Sequence, residues 1–226
     1  MSISIGILGG MGPRTTVQFE QRLLDLLKGT DQDLPTVLTI NDGSIPDRSR
    51  YLLMAGEDPV PKLIKRAKQL EYLDADIIAM PCNSACAPQI LSRLQAQVGV
   101  PILNLPALTA QVVENGLSKR TVLLATAGTV SAGTYQSLIL GLVVPGARIQ
   151  RIVDRLITAT KTNSASQSLL AQTIREYLDN SGCDSVILGC TELPLVNDLV
   201  PDDINVFDTL DILARRTVEY NQHREN

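Results

Sequence analysis

The stretch Ile77-Ile-Ala-Met-Pro-Cys82 joins a short apolar run directly to a cysteine, and it decides how this sequence is organised. A second stretch of the same kind, Ser185-Val-Ile-Leu-Gly-Cys190, follows 108 residues later, close to half of the 226-residue chain. Apolar runs of this length are typical of strands buried on both faces of a parallel sheet. The repeat predicts two similar halves, each with a buried strand that ends in a cysteine.

Working outward from these two strands, apolar runs alternate with segments of helical period. We predict strands at residues 2–8, 36–40, 76–80, 101–105, 121–125, 148–153, 184–188 and 205–207. We predict helices at residues 15–28, 59–73, 106–115, 129–140, 165–178 and 209–220, and one that runs through residues 90–94. This alternation is typical of α/β proteins with helices on both faces of a parallel sheet.

The sequence therefore predicts an α/β fold of two similar lobes, each a mainly parallel sheet flanked by helices. We assign residues 1–103 to the first lobe and residues 104–205 to the second, and we expect the C-terminal helix in 206–226 to pack back on the first lobe. Ligands of open parallel sheets bind beyond the carboxyl ends of the strands. We therefore expect the active site in the cleft between the lobes.

Composition excludes several classes of function. The net charge is −4 and no basic run exceeds two residues, so we expect no nucleic-acid partner. The apolar runs are too short for a membrane span, and the first residues lack the pattern of a secretory signal. With only four cysteines, a disulfide scaffold is disfavoured, and we expect a cytoplasmic protein with free thiols.

Histidine is nearly absent, which narrows the chemistry further. The chain has one histidine, His223, close to the C-terminus. Catalysis by a Ser-His-Asp or Cys-His pair needs an imidazole beside the nucleophile, and termini are usually poorly ordered. Zinc sites of the Cys/His type need paired ligands that this sequence does not provide. We expect no metal.

Cys82 and Cys190 are the leading catalytic candidates, because each follows an apolar strand and precedes a predicted helix start. A helix N-terminus lowers the pKa of a thiol from its ordinary value of about 8.5. Thiols on opposite walls of a cleft could remove a proton from one face of a substrate carbon and return it to the other. The alternative is that both cysteines are small core residues. We interpret Cys86 and Cys183 as structural.

Polar side chains that follow the other predicted strands are candidates for substrate binding. Arg48 could hold a carboxylate with two parallel hydrogen bonds, or it could be a solvated loop residue. Lys161 is a weaker candidate of the same kind. Thr126 and Thr129 could donate hydroxyls to a carboxylate or cap the next helix. The glycine-rich turn at residues 9–13 could bring backbone N–H groups to a carboxylate, or it could simply be a tight turn.

Five motifs resemble the aspartate/glutamate racemase family, specifically its cofactor-independent aspartate racemases. They are Gly6-Ile-Leu-Gly-Gly-Met-Gly-Pro13, Ile45-Pro-Asp-Arg48, Met80-Pro-Cys-Asn-Ser84, Leu124-Ala-Thr-Ala-Gly-Thr129 and Leu188-Gly-Cys-Thr-Glu-Leu193. They occur in the family's order and span most of the chain. The resemblance implies two α/β lobes, a homodimer, and racemisation of a small acidic amino acid, aspartate before glutamate, without pyridoxal phosphate or metal.

The resemblance also implies roles for particular residues. Cys82 and Cys190 become the two acid/base groups, one a thiolate and one a thiol at the start of each turnover. The expected substrate-binding residues are Met11, Arg48, Asn83, Ser84, Thr126, Thr129, Lys161, Thr191 and Glu192. Among them, Asn83, Ser84 and Thr191 would hold the α-carboxylate or the amine, and Arg48 with Lys161 would hold the side-chain carboxylate.

The chain departs from the family pattern at one notable position. The family usually reads Pro-Cys-Asn-Thr-Ala-His where this chain reads Pro81-Cys-Asn-Ser-Ala-Cys86, so a thiol replaces an imidazole near the first cysteine. Two alternatives to racemisation therefore stay open. One is isomerisation of a dicarboxylic acid such as maleate, and the other is non-catalytic binding of an acidic metabolite.

Overall fold

A computed structural model describes the backbone of residues 3–116 and 118–225, and the side chains of residues 3–116 and 118–221. The predicted strand start at residue 2 and the side chain of His223 lie outside that description. Every strand pairing within the described residues is parallel. The α/β fold with two parallel sheets flanked by helices is thus confirmed.

The first sheet contains β1 (Ile5–Gly9), β2 (Val37–Asn41) and β3 (Ile77–Ala79), in the order β2-β1-β3. The second contains β4 (Thr121–Leu124), β5 (Ser185–Leu188) and β6 (Asn205–Asp208), in the order β4-β5-β6. The flanking helices are α1 (Pro13–Leu26), α2 (Arg48–Leu52), α3 (Val60–Tyr72), α4 (Pro88–Gln95), α5 (Leu105–Asn115), α6 (Ala127–Ser131), α7 (Ala147–Thr162), α8 (Gln167–Asp179) and α9 (Thr209–Glu225).

Two isolated parallel bridges show that the sheets share one strand order. Ile102 pairs with Ile78 beside β3, and Val143 pairs with Val122 beside β4. The positions across the sheets therefore run β2-β1-β3-Ile102 in the first and Val143-β4-β5-β6 in the second. β3 and β5, which precede the two candidate cysteines, occupy equivalent third positions.

One predicted strand is wrong. Residues 148–153 form the start of helix α7 rather than a strand. Val153, Leu156, Ile157 and Thr160 are buried at helical spacing, and this period is visible only when the whole segment from Ala147 is considered. The extended residue beside β4 is Val143, which lies before the helix.

Two other predicted elements are shorter than expected, and α2 is a second helix, besides α7, that was not predicted. Residues 101–105 contribute a single bridge at Ile102, and the predicted helix at 129–140 is reduced to α6. Helix α2 begins at Arg48, where we expected the end of a loop, and Asp47 caps it by accepting a hydrogen bond from the Arg50 amide.

Apolar residues of both faces bury the sheets, as parallel sheets require. Leu210, Leu213 and Ala214 of α9 join the core around the first sheet, whereas Ile212 joins the core against β4 and β5. Helix α9 packs against α1 and α5. We predicted that the second lobe ends at residue 205, but β6 (Asn205–Asp208) continues past that residue and pairs with β5 as the edge of the second sheet.

No helix within the described residues combines the length and the apolar character that crossing a membrane needs.

Candidate active site

The turn after β1 brings the main chain of Met11 to the end of the first sheet. Gly10 has a φ of 97°, and a Cβ there would lie 2.2 Å from the Asp42 carbonyl oxygen, so glycine suits this position. The Thr16 hydroxyl accepts a hydrogen bond from the Gly10 amide and donates one to the Gly12 carbonyl, each at 2.9 Å. These contacts hold the glycine-rich turn in one conformation.

The two candidate cysteines follow equivalent strands of the two sheets and line one cavity of about 170 Å³. Cys82 Sγ lies 3.5 Å from Ser84 Oγ. Cys190 Sγ donates a hydrogen bond to Glu192 Oε2 at 2.9 Å. Cys82 and Cys190 are 4% and 7% exposed, so each thiol can meet a small molecule only inside this cavity.

The surroundings of Cys190 do not lower its pKa, which contradicts our expectation from a helix N-terminus. Burial raises the pKa of the Cys190 thiol well above its ordinary value, and the nearby Glu192 carboxylate raises it further, against the opposing charge of Lys161. A short 3₁₀ turn, Leu193–Leu195, follows this cysteine instead of an α-helix. Burial and the Glu192 carboxylate therefore both favour the thiol form of Cys190.

Arg48 lies at the first position of α2 and is buried, with 8% exposure. Its Nη1 donates to the carbonyls of Ile45 and Pro46 at 3.1 and 2.9 Å, and its Nη2 donates to the Met11 carbonyl at 3.0 Å. A guanidinium has five N–H donors, so these contacts leave the Nε–H and one Nη2–H. Nε is buried and has no hydrogen-bond partner among the described residues. The solvated-loop alternative for Arg48 is therefore wrong.

Lys161 lies in the last turn of α7, not in a loop, and its Nζ is 3.6 Å from Glu192 Oε1. The Glu192 side chain is 4% exposed. Burial lowers the pKa of Lys161, but the neighbouring Cys190 and Glu192 raise it, and the net shift is upward. Lys161 is therefore a cation at the cavity wall.

Helix α6 begins at the cavity with all of its first N–H groups capped by the protein. The Ala127 amide donates to Asp154 Oδ1 at 2.9 Å, the Gly128 amide donates to Ser49 Oγ at 3.0 Å, and the Thr129 amide donates to Thr126 Oγ1 at 3.3 Å. The capping role that we considered for Thr126 is thus present. Its hydroxyl also lies 3.0 Å from that of Thr129.

All eleven residues singled out from the sequence line the same cavity. They are Met11, Arg48, Cys82, Asn83, Ser84, Thr126, Thr129, Lys161, Cys190, Thr191 and Glu192. The Thr191 hydroxyl lies 3.4 Å from both the Pro81 carbonyl and the Thr15 hydroxyl, which ties the two strand ends together. The cavity therefore draws side chains from the ends of both sheets.

Sequence reasoning missed several lining residues, namely Ser49, Arg50, Leu53, Asp154, Ile157 and Thr158. Three of these, Asp154, Ile157 and Thr158, lie on α7 together with Lys161. Their spacing of three and four residues places them on one helix face. That signal was hidden because the start of α7 was interpreted as a strand.

The remaining cysteines do not line the cavity, as expected for structural residues, and all four cysteines are free. Cys86 is buried, and burial raises the pKa of its thiol to about 12, with a smaller contribution from Cys82. A thiol with that pKa stays protonated near neutral pH, so it cannot supply the base that an imidazole would.

A second cavity, of about 480 Å³, adjoins the first beneath the glycine-rich turn. Both cavities are lined by Met11, Asp47, Arg48, Lys161 and Glu192. These shared side chains therefore separate the cavity that holds the cysteines from an outer space. Within the part of the chain that the structure describes, no three His, Cys, Asp or Glu side chains are grouped as metal ligands would be.

Fold and site define a class of α/β protein in which two equivalent parallel sheets each bring a strand-end cysteine to a shared cavity. Comparison with known proteins agrees with that description. The family model described as Asp/Glu/Hydantoin racemase matches residues 8–217. The broad specificity amino-acid racemase RacX of Bacillus subtilis is 30% identical over 225 residues, which cover 95% of this chain and 96% of RacX.

Solved structures extend the comparison. Picrophilus torridus aspartate racemase has a TM-score of 0.83 and 31% identity, covering 97% of this chain and 94% of that one. In the sequence comparison, a glutamate racemase of Desulforudis audaxviator is 30% identical over 154 residues, which cover 64% of this chain and 56% of that protein. The chain belongs to the Asp/Glu/hydantoin racemase family and is an amino-acid racemase of that family, which confirms the resemblance seen in its motifs.

Proposed function

We propose that the protein racemises a small acidic amino acid, aspartate before glutamate, by proton transfer between two cysteines and without a cofactor. One observation carries the proposal: Cys82 and Cys190 follow equivalent strands of different sheets and line one small cavity. The thiolate of one cysteine takes the Cα proton, and the C–H electron pair moves into the α-carboxylate. The thiol of the other cysteine then delivers its proton to the opposite face of Cα.

The protonation of Cys190 suggests where the reaction starts. Its thiol donates to Glu192 Oε2, and burial raises its pKa, so the resting enzyme holds the proton on Cys190. Cys190 is then the group that delivers a proton to Cα of the first substrate. The opposite enantiomer uses the form in which the two cysteines have exchanged roles.

Preference for an acidic side chain rests on Arg48 and Lys161. Three backbone carbonyls hold the Arg48 guanidinium at the cavity, and these contacts leave the Nε–H and one Nη2–H uncommitted. A guanidinium fixed in this way attracts a carboxylate by its charge and can donate hydrogen bonds to it. Lys161 adds a second positive charge, and its partner Glu192 has a buried Oε1 without a hydrogen-bond partner among the described residues.

The hydroxyls and amides around the cysteines then hold the other end of the amino acid. Ser84 Oγ lies 3.5 Å from Cys82 Sγ, and Thr126, Thr129 and Thr191 line the same cavity. Met11 contributes its carbonyl to Arg48 and its side chain to the cavity wall. We also propose that the protein is a homodimer, which sedimentation equilibrium would test.

The central test is a chiral assay of aspartate, glutamate, asparagine and glutamine in heavy water. We expect racemisation of aspartate with deuterium appearing at Cα, and a loss of at least about 100-fold in Cys82→Ser and in Cys190→Ser. The two enantiomers have equal free energy in water, so each variant must lose kcat/KM equally in both directions. Single variants that racemise at the parent rate would contradict the two-cysteine mechanism.

Two further measurements, turnover of maleate and the melting temperature with L-aspartate, separate the two alternatives. Turnover of maleate without racemisation of any amino acid would indicate a dicarboxylate isomerase. A rise in melting temperature with L-aspartate, without deuterium at Cα, would indicate a protein that binds an acidic metabolite and does not react with it.

A further inference from the structure

Three buried side chains, Tyr135, Asn83 and Thr209, connect the two cysteine-bearing strand ends. Tyr135 Oη donates a hydrogen bond to Asn83 Oδ1, Asn83 Nδ2 donates to Thr209 Oγ1 at 3.0 Å, and Thr209 Oγ1 donates to the Leu188 carbonyl at 2.8 Å. Tyr135 and Thr209 are fully buried, and Asn83 is 3% exposed. Asn83 follows Cys82 directly, and Leu188 lies two residues before Cys190.

The direction of these hydrogen bonds is fixed from one end. A backbone carbonyl can only accept a hydrogen bond, so the Thr209 hydroxyl donates its proton to the Leu188 carbonyl oxygen. Thr209 must then accept from Asn83, which means that the NH₂ end of the amide faces Thr209. The amide oxygen therefore faces Tyr135, whose hydroxyl must donate. Burial raises the pKa of Tyr135 above its ordinary value, so this phenol keeps the proton that it donates.

We propose that Thr209 and Tyr135 are positioning residues of the racemisation: they hold the Cys82 and Cys190 strand ends in register and fix the amide of Asn83. This inference rests on the proposed function. Thr209 is the first residue of α9 and directly follows β6, so it joins the second sheet to a residue adjacent to the first cysteine.

The fixed amide also assigns a role to Asn83. Tyr135 donates to its oxygen and Thr209 accepts one Nδ2–H, which leaves the second N–H as a donor on a residue that lines the cavity. This donor can hold the α-carboxylate of an amino acid. The α-carboxylate gains negative charge as the Cα proton leaves, so this N–H bond strengthens in the transition state.

Thr209→Val tests the proposal, since it keeps the shape of the side chain and removes the hydroxyl. We expect kcat/KM to fall by about 10- to 100-fold, mainly through kcat, because small misplacements of reacting groups have large effects on rate. Thr209→Ser keeps the hydroxyl and should stay within about threefold of the parent. Tyr135→Phe should reproduce part of the loss, because the Asn83 oxygen then lacks its donor.

The matched control is Thr217→Val on the same helix. Thr217 is also fully buried, but its hydroxyl donates to the Leu213 carbonyl one turn earlier, away from the cysteines. Assays run well below the melting temperature of every variant separate activity from stability. Thr209→Val activity within twofold of that of Thr217→Val would overturn the proposal.

An NMR measurement keeps this inference separate from the proposed function. In the parent and in Thr217→Val, one Asn83 side-chain N–H should exchange slowly with solvent, and in Thr209→Val that protection should disappear. A parent protein that racemises nothing would refute the proposed function. An active parent without protection of the Asn83 amide would refute the positioning role.

Discussion

At the scale of single residues, burial decides which charges the site can keep. Arg48 is buried because three carbonyls accept its hydrogen bonds, and Glu192 is buried between the Cys190 thiol and the Lys161 ammonium. Buried polar groups without such partners are costly. Five buried side-chain atoms have no hydrogen-bond partner among the described residues, and two of them, Arg48 Nε and Glu192 Oε1, belong to residues that line the cavity.

Arg48→Lys should weaken the recognition of acidic substrates. Lysine has a single ammonium group, which cannot bond to the carbonyls of Met11, Ile45 and Pro46 and also present two parallel donors. We expect KM for aspartate to rise by about 10- to 100-fold, corresponding to about 1.4–2.7 kcal/mol. Any slow turnover of alanine, which lacks the side-chain carboxylate, should change much less.

The control for this variant is Arg151→Lys, an exposed arginine of α7, measured in the same assay. Equal losses for aspartate and alanine in Arg48→Lys would mean that Arg48 does not select the side-chain carboxylate.

Cys86 should make the protein sensitive to alkaline pH. Its folded-state pKa is about 12, whereas an unperturbed thiol titrates between about 8.5 and 9.0, so the stabilising effect of burying the neutral thiol is complete below that range. Above pH 9 the unfolded chain ionises first, and the free energy of unfolding falls by about 1.4 kcal/mol per pH unit until about pH 12. Urea denaturation at pH 7, 9, 10 and 11 measures this slope.

In Cys86→Ala we expect a loss of about 1 kcal/mol at pH 7, from the small cavity, and a slope above pH 9 that is shallower by about 1.4 kcal/mol per unit. Cys190 contributes in the same direction in both proteins. Parallel curves for parent and variant would show that Cys86 does not control the alkaline response.

At the scale of elements, two short helices from opposite halves of the chain meet at the cavity. Helix α2 carries Arg48 and Ser49, and helix α6, which Thr126 caps, contains Gly128. The Ser49 hydroxyl accepts a hydrogen bond from the Gly128 amide. A Cβ at Gly128 would lie 2.5 Å from the Cα of Ser49. The position of Arg48 therefore depends on this close approach.

Gly128→Ala should move α2 away from α6 and carry Arg48 with it. We expect a loss of about 1–3 kcal/mol in stability and a reduction in kcat/KM for aspartate of about 10-fold or more. Denaturation and steady-state kinetics measure the two effects.

Gly146→Ala is the matched control, because its new Cβ would have no atom within 4 Å and its φ is −64°. It should change stability by less than about 1 kcal/mol and leave kinetics near the parent values. Similar effects in both glycine variants would show that the contact between α2 and α6 is not what positions Arg48.

At the scale of the whole molecule, α9 connects the two sheets. Leu213 belongs to the core around the first sheet, Ile212 belongs to the core against the second, and Thr209 bonds to the end of β5. Separate sheets joined only by loops would unfold independently. Because α9 packs into both cores, unfolding of one core also removes apolar contacts that stabilise the other.

Leu213→Ala should therefore destabilise the entire protein in one step. Removing this fully buried side chain should cost about 2–5 kcal/mol. We expect calorimetry of the parent and of the variant to show a single transition that moves to lower temperature. Two separate transitions in the variant would show that the sheets unfold independently.

Much of this architecture was predictable from local sequence. Short apolar runs followed by polar residues marked β1, β3, β4 and β5, and the eleven candidate residues line one cavity because the ends of parallel strands meet at the same edge of a sheet. The error at residues 148–153 arose because six residues are too few to separate a helical period from a strand period.

The sequence by itself determined the α/β class, the two equivalent strands and the chemistry of the residues at their ends, because these depend on patterns within a few neighbouring residues. Only the tertiary structure decided the surroundings of the thiols, the partners of Arg48 and the chain of bonds through Thr209. Asn83 and Thr209 are 126 residues apart in sequence. Contacts at such separations, and the burial that shifts the pKa of Cys190, exist only once the two sheets have packed together.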